Sequence, residues 1–254
     1  MSMHTRVPNP VDLHSFDQTS HRKRVESKMS ENKSQNIYDD PAFYSQYEGL
    51  DRQVHGLAYA PEWPVLQSLM PDLQGANVLD LGCGSGFSCR YTRSKDDAIT
   101  YEQRDLEDNL ELPDEKFDFA FSSLAFHYVA NFEQLIPQIF KALKPGANFL
   151  FTTIHPIRSA GEVRWIEHLG KQQAWPVTEY LNEGPRTIEW LNHPVKFRHR
   201  TIQTYFEVLL GAGFQLLNFK EWSPKEEELK EFPFWSLSGG APMFMVFKFL
   251  KPKV

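Results

Sequence analysis

The sequence predicts an α/β domain with a mostly parallel sheet covered by helices on both faces. Three observations predict it. Short apolar runs alternate with segments of helical period through the middle of the chain. A glycine-rich turn, Gly82, Gly84 and Gly86, joins the first of those runs to a helix. Two apolar runs near the C-terminus are spaced as an antiparallel pair at one edge of the sheet.

Length and composition set the frame. With 254 residues the chain suits one principal domain, and its 41% hydrophobic and 24% charged residues, with 20 Phe and 6 Trp, describe a soluble protein with an aromatic-rich interior. A net charge of −6 without a dense basic stripe disfavours nucleic acid as a partner. Cys83 and Cys89, the 2 cysteines, make no disulfide framework and lack the spacing of a zinc site, and no compact His and carboxylate ligand set suggests a metal. No apolar run reaches membrane-spanning length, and the first residues, which include Asp12 and Asp17, do not form the apolar middle of a secretion signal. These features predict a cytoplasmic protein in a reducing compartment.

The elements follow in order. Residues 1–35 are polar, with Arg22, Lys23 and Arg24 clustered, and are expected to be a disordered tail because they bury too little apolar surface to offset ordering. Residues 36–254 form the domain. Within it, Tyr38, Phe43, Tyr44, Tyr47 and Leu50, then the apolar-periodic stretch 65–70 after Pro61-Glu62-Trp63-Pro64, predict an N-terminal helical cap over 37–74. Residues 77–81 read as a buried strand, 85–95 as a helix, 98–102 and 117–121 as strands. A helix over 132–143 stops at Lys144-Pro145-Gly146, and 148–153 is a strand. Trp165, Trp175, Pro176, Tyr180, Pro185, Trp190 and Pro194, scattered through polar sequence, mark 156–198 as a lid insertion. A helix over 201–210, a strand over 214–219, a short charged helix over 225–230 and a strand over 243–250 complete the chain.

The chemistry concentrates at Val78-Leu79-Asp80-Leu81-Gly82-Cys83-Gly84-Ser85-Gly86. A buried strand delivers the chain to a turn whose missing side chains let backbone N–H groups approach a ligand at the carboxyl edge of a parallel sheet. Glycines alone are weak evidence, since dinucleotide sites and plain structural turns use them too. Asp80, however, is electrostatically unsuited to a pyrophosphate.

This segment resembles the first motif of class I S-adenosylmethionine-dependent methyltransferases. The resemblance implies a three-layer Rossmann-like fold, mostly parallel with a C-terminal antiparallel strand, and S-adenosyl-L-methionine as cofactor. It implies that Gly82, Gly84 and Gly86 accommodate the cofactor's methionine portion and ribose, and that Asp80 organises contacts to its amino end. Arg104-Asp105-Leu106 resembles the family's adenine-contacting turn, with Asp105 accepting from the adenine amino group and Leu106 against the ring. The run from Phe117 through Ser122 to Tyr128 resembles the fourth strand and the loop beneath the methyl donor, which brings Ser122 into the cofactor set. Glu183-Gly184-Pro185-Arg186 and His199-Arg200-Thr201, with the opening helices, look like a UbiE-like small-molecule methyltransferase group, so that the likeness runs over 37–249.

One unit is short. The family ordinarily places two strand–helix units between the glycine loop and the adenine-side turn, and an acid at the end of the second strand holds the ribose. Here residues 87–104 have room for one helix and one strand. Two alignments compete for 98–102: the second strand with Glu102 as ribose acid, or the third strand, which keeps Asp105 and Leu106 at the familiar separation. The second alignment is favoured, and it implies deletion of one strand and its helix.

For chemistry, the resemblance implies methyl transfer to an O, N, C or S nucleophile of a small-molecule acceptor. His127 is placed to take a proton from the acceptor, or alternatively to cap its loop; Tyr128 to orient the acceptor or to cover the cofactor; and His155, at the mouth, to face substrate or hold a turn. Tyr44, Tyr47 and Arg52 could close over the methionine end, and Trp165, Trp175, Tyr180 and Trp190 could line an apolar pocket or pin the lid. The alternative readings are a non-catalytic or impaired methyltransferase-like binding protein and, below it, a nucleic acid methyltransferase.

Overall fold

A computed structural model describes residues 35–84, 86, 88, 99–161, 166–168, 171–174, 176–231 and 241–253, all in the second of two compact units, Ser34–Val254. The expected tail up to residue 34, most of the helix expected over 85–95, and Cys89, Trp165 and Trp175 lie outside the described residues.

Three short helices open the domain: α1 (Pro41–Glu48), α2 (Asp51–His55) and α3 (Trp63–Leu69). Asp40 starts α1 as an N-cap, its Oδ1 accepting from the N–H groups of Ala42 and Phe43, with Pro41 at the first helical position. The sheet strands are β1 (Val78–Asp80), β2 (Phe117–Ser123) and β3 (Leu143–Ile154), with α4 (Phe132–Ala142) between the last two. A single turn, α5 (Pro156–Ser159), leads to two hairpins, β4 (Ile166–His168) with β5 (Lys171–Ala174) and β6 (Gly184–Trp190) with β7 (His193–His199). Helix α6 (Ile202–Gly211), strand β8 (Gln215–Trp222), helix α7 (Glu226–Glu231) and strand β9 (Phe244–Leu250) follow.

Among the described residues the central sheet has five strands, in the order β1-β2-β3-β9-β8. β1, β2 and β3 pair in parallel; β9 runs antiparallel to both β3 and β8, so four strands point one way and β9 alone runs against them. The sequence of β2, β3 and β9 alternates, and the pleat sorts it. Phe119, Phe121, Leu150, Phe244 and Val246 face Trp63 and Leu66 of α3, whereas Ala120, Phe149, Phe151, Met245, Phe247 and Phe249 face α4 and α6. Apolar stripes on the helices meet that second face: Phe132, Leu135, Ile136 and Ile139 from α4, Tyr205 and Leu209 from α6. Three layers result, and each buried Phe or Leu contributes about 1.5–3 kcal/mol of burial.

The sheet differs from expectation in two places. Residues 99–102 carry no strand. A strand exists by pairing, but nothing among the described residues pairs with the outer side of β1, and Tyr101, Glu102 and Gln103 are exposed. Secondly, no loop follows α4 at Lys144-Pro145-Gly146: the helix ends at Ala142, Leu143 is already extended, and these residues open β3. Lys144 there donates to Asp118 Oδ1 at 2.6 Å, while Asp118 Oδ2 accepts from Asn77 N at 3.0 Å. Asp118 therefore ties together the starts of β1, β2 and β3, and the Lys144 bond holds its carboxyl below the ordinary range.

Candidate cofactor and acceptor site

The carboxyl ends of β1, β2 and β3 lie along one edge of the sheet because the three strands are parallel. Asp80, Ser123 and Ile154 end them, and the loops beyond form the candidate site.

The glycine loop leaves β1 under tight backbone control. Leu81 N donates to Phe121 O at 2.9 Å, and the Ser122 hydroxyl donates to Leu81 O at 2.8 Å. Ser122 is buried, so its described work is to fasten the root of the loop. Gly82 has φ +75°, and a Cβ there would stand 2.5 Å from the Ala125 Cβ. Only glycine permits that approach, which presses the loop after β1 against the loop after β2. Gly84, at φ +52°, has nothing within 4 Å of its would-be Cβ. A side chain there would enter open space, so the turn is uncrowded on that side. Gly86 N closes the turn on Cys83 O at 2.9 Å, and the Tyr101 hydroxyl stands over Gly86, 2.7 Å from its would-be Cβ.

The second wall is the turn at Asp105. Its carboxylate is exposed, and Oδ1 accepts from Glu107 N at 3.0 Å. Leu106 is half-buried, its Cδ1 3.9 Å from the Gly82 Cβ position, so this turn adjoins the glycine loop. Glu102 points elsewhere: it is exposed and bonded to Arg104 Nε at 3.1 Å.

The third wall is the loop 124–131. His127 is buried, and its Nδ1 has no hydrogen-bond partner among the described residues. Burial first, and the Arg200 charge second, hold its pKa down to about 3, so the ring is neutral near pH 7. Tyr128 lies beside it with ring centroids 4.2 Å apart, and its hydroxyl accepts from the Tyr38 hydroxyl at 3.1 Å. Burial pushes the Tyr128 phenol up to about 12. Tyr38, Phe43 and Tyr47 of the opening segment pack with Tyr128 and with Ile188, Trp190 and Val195 of the β6–β7 hairpin. The opening helices, the hairpin and Tyr128 thus share one aromatic cluster. Tyr44 is exposed and leans on Tyr47 at its margin.

Arg52 reaches the same edge from α2. It pairs with Glu62 Oε1 at 2.5 Å, and its other nitrogen donates to Ser123 Oγ at 3.4 Å. Glu62 is fully buried, and its Oε2 has no hydrogen-bond partner among the described residues. His155 is engaged on both ring nitrogens. Its Nδ1 accepts from Ile157 N at 3.1 Å as the cap of α5, which leaves Nε2–H to donate to Glu221 at 2.7 Å. Burial lowers the His155 pKa, against the opposing pull of Glu221.

Three further residues organise the site without having been singled out in the sequence. Arg200, 5% exposed, donates from Nη2 to Val129 O at 2.7 Å and Ala130 O at 2.9 Å. Glu107 accepts from the N–H groups of Ala130 and Asn131. Glu62 buries its carboxylate against Arg52. The available signal was position: Glu62 and Arg200 sit inside segments already marked as patterned, and Glu107 is two residues past Asp105. Tyr180 serves the base of the hairpin, its carbonyl taking His199 Nε2 at 2.8 Å and its hydroxyl accepting from Ile202 N at 3.3 Å.

Comparison with known proteins agrees with this geometry. A methyltransferase-domain family matches residues 54–217. The crystal structure of an S-adenosylmethionine-dependent methyltransferase from Mesorhizobium loti superposes with a TM-score of 0.70 at 34% identity, over 77% of this chain and 100% of that one. An uncharacterised protein of Haemophilus influenzae is 29% identical over 83% of this chain and 95% of its own length. A malonyl-[acyl-carrier protein] O-methyltransferase of Salmonella typhimurium is 30% identical over 58% of this chain and 65% of its own length. No helix among the described residues is long and apolar enough to cross a membrane.

Proposed function

The chain belongs to the S-adenosylmethionine-dependent methyltransferases, and from that premise we propose that it methylates a small-molecule acceptor within a cytoplasmic, UbiE-like branch of the family. The supporting observation is the junction of Gly82 with Ala125, which sets the uncrowded turn at Gly84 beside the loop bearing His127 and Tyr128. Asp80, Gly82, Gly84, Gly86, Asp105 and Leu106 hold the cofactor in this reading, with Ser122 fixing the root of the loop. When bound, S-adenosylmethionine supplies an electrophilic methyl group.

The chain's own residues supply placement and dryness. The opening helices and the β6–β7 hairpin cover the acceptor through the cluster of Tyr38, Tyr47, Tyr128 and Trp190. His127, neutral and with no hydrogen-bond partner at Nδ1 among the described residues, orients an O–H or N–H acceptor by hydrogen bonding rather than keeping its proton, which passes to solvent as product leaves. Tyr128 stays protonated and orients the acceptor by hydrogen bonding. His155 holds the mouth in shape through α5 and Glu221. Among acceptor atoms, the Salmonella relative favours oxygen.

A second reading is favoured by a specific observation. Residues 99–102 are outside any strand and Glu102 is turned to Arg104, as deletion of one strand–helix unit and loss of the ribose acid would leave them. Such a chain would be an impaired methyltransferase-like binding protein. Isothermal titration of the full chain with S-adenosylhomocysteine separates the two. Micromolar binding, weakened by about 1.5–3 kcal/mol in Asp80→Ala through loss of a charged hydrogen bond, supports the enzyme; a folded chain that binds nothing retires it.

A further inference from the structure

Loop 124–131 is held from both ends. Leu124 opens it at φ +53°, a left-handed conformation that a bulky residue keeps only where its neighbours enforce it. Its N–H donates to Thr152 O and Thr152 Oγ1, each at 3.1 Å. At the far end Glu107 takes the last two amides: Ala130 N donates to Oε1 at 2.5 Å and Asn131 N to Oε2 at 2.8 Å, while Asn131 Nδ2 donates to the Glu107 carbonyl at 3.3 Å. Glu107 is itself fixed by Asp105, whose Oδ1 accepts from the Glu107 N–H at 3.0 Å. A continuous path of short hydrogen bonds therefore runs from the exposed carboxylate of Asp105, through Glu107, to the loop that carries His127 and Tyr128.

We propose that Glu107 is a positioning residue that couples the cofactor half of the site to the acceptor half. Occupancy of the turn at Asp105 and Leu106 fixes the Glu107 backbone. Glu107 then fixes Ala130 and Asn131, and the loop presents His127 and Tyr128 in one arrangement. The inference rests on the reading that this turn receives the adenine, and it makes cofactor binding the step that prepares the acceptor side. By linkage, an ordered acceptor loop also favours the bound cofactor.

A simpler role for Glu107 is a static cap of α4, since the Asn131 side chain does not cap that helix. A static cap protects the loop equally with and without ligand; a coupling residue makes the protection depend on ligand. Hydrogen exchange of the full chain, with and without saturating S-adenosylhomocysteine, reads that difference. In the wild type, ligand is expected to slow exchange across 124–131 by about tenfold. In Glu107→Gln, which replaces one accepting oxygen by a donor, the slowing falls below about twofold although the ligand still saturates. Arg200→Lys loosens the same loop from the opposite side, because Arg200 holds the Val129 and Ala130 carbonyls. That variant is expected to speed exchange in both states and to keep the ratio. A Glu107→Gln protein with the wild-type ratio overturns the proposal and makes Glu107 a helix cap. Wild-type binding without slowing overturns it as well and leaves the cofactor reading intact. A folded wild type that binds no S-adenosylhomocysteine removes that reading and the coupling with it.

Discussion

The two sides of the central sheet are built to different standards. β2, β3 and β9 each bury a run of consecutive residues, with aromatic side chains sent to both faces, and Phe151, Phe247 and Tyr205 stack in the middle. β1 has three residues, all only partly buried, and among the described residues it pairs with β2 alone. The glycine loop nevertheless hangs from β1, whereas the loop with His127 grows from β2. The difference teaches that fold stability and the glycine loop proposed to take the cofactor are seated on separate strands. The root of the glycine loop is secured mainly by single hydrogen bonds, such as Ser122 to Leu81 and Asn77 to Asp118, where the loop with His127 combines hydrogen bonds with a strand, β2, locked in by packing.

Truncation on either side is the strongest way to break that comparison. Phe151→Ala empties a fully buried position between two layers and is expected to cost about 3–5 kcal/mol. Leu79→Ala, in β1 and only partly covered by the same core, should cost about 1–2 kcal/mol. Urea denaturation with an unchanged slope measures both. Equal losses would mean that β1 is as deeply integrated as the centre.

The same contrast explains what the sequence could disclose. Phe119, Phe121, Phe149 and Phe151 announce their strands because a two-residue alternation of large apolar groups has one structural meaning, and the glycines of the loop announce theirs because Gly82 has no room for a side chain. Residues 99–102 have strand-like composition too, but pairing decides a strand, and composition is silent about whether a partner is present. The hairpin β6–β7 escaped notice because its more and less covered residues alternate, without a continuous apolar run. Within the candidate site, Asp80 and Asp105 were singled out through a pattern of spacing. Glu107 and Arg200 were not, because each acts on backbone groups of the loop 124–131, far away in sequence, and backbone partners leave no residue signature.

Acid titration sharpens the comparison with a smaller effect. His127, on the acceptor side, is buried next to a positive charge and has its pKa lowered to about 3, well below the ordinary 6.5. Above pH 6.5 the ring is neutral folded and unfolded, so its contribution is intact there. Between pH 6.5 and about 3 the unfolded chain takes up a proton that the folded chain refuses, and stability falls by about 1.4 kcal/mol per pH unit. At pH 5 the loss is about 2 kcal/mol from this residue. His127→Gln, referenced to its own stability at pH 8, should flatten the decline by that amount, with part of the remaining slope coming from His155 and His199, which burial also lowers, and, toward the acid end, from Asp118 and Glu183, whose carboxyls are held low. A variant as acid-sensitive as the wild type would show that the ring is accessible to protons in the fold.

The smallest expected effect belongs to the cluster that joins the opening helices to the hairpin. Tyr38→Phe keeps the ring, which packs edge-on against Phe43, Tyr47 and Tyr128, and removes only the hydroxyl that donates to Tyr128. One neutral hydrogen bond is worth about 0.5–1.5 kcal/mol, and the loss should lie in that range by urea denaturation. The donated bond also favours the Tyr128 phenolate, against the burial that raises it, so removing the donor should move Tyr128 ionisation further up in an absorbance titration. Because Tyr38 belongs to the acceptor side, S-adenosylhomocysteine affinity should be unchanged within about twofold, in contrast to the loss of about 1.5–3 kcal/mol expected of Asp80→Ala. Comparable losses from the two variants would merge the two sides into one site, with the opening helices closing directly on the cofactor.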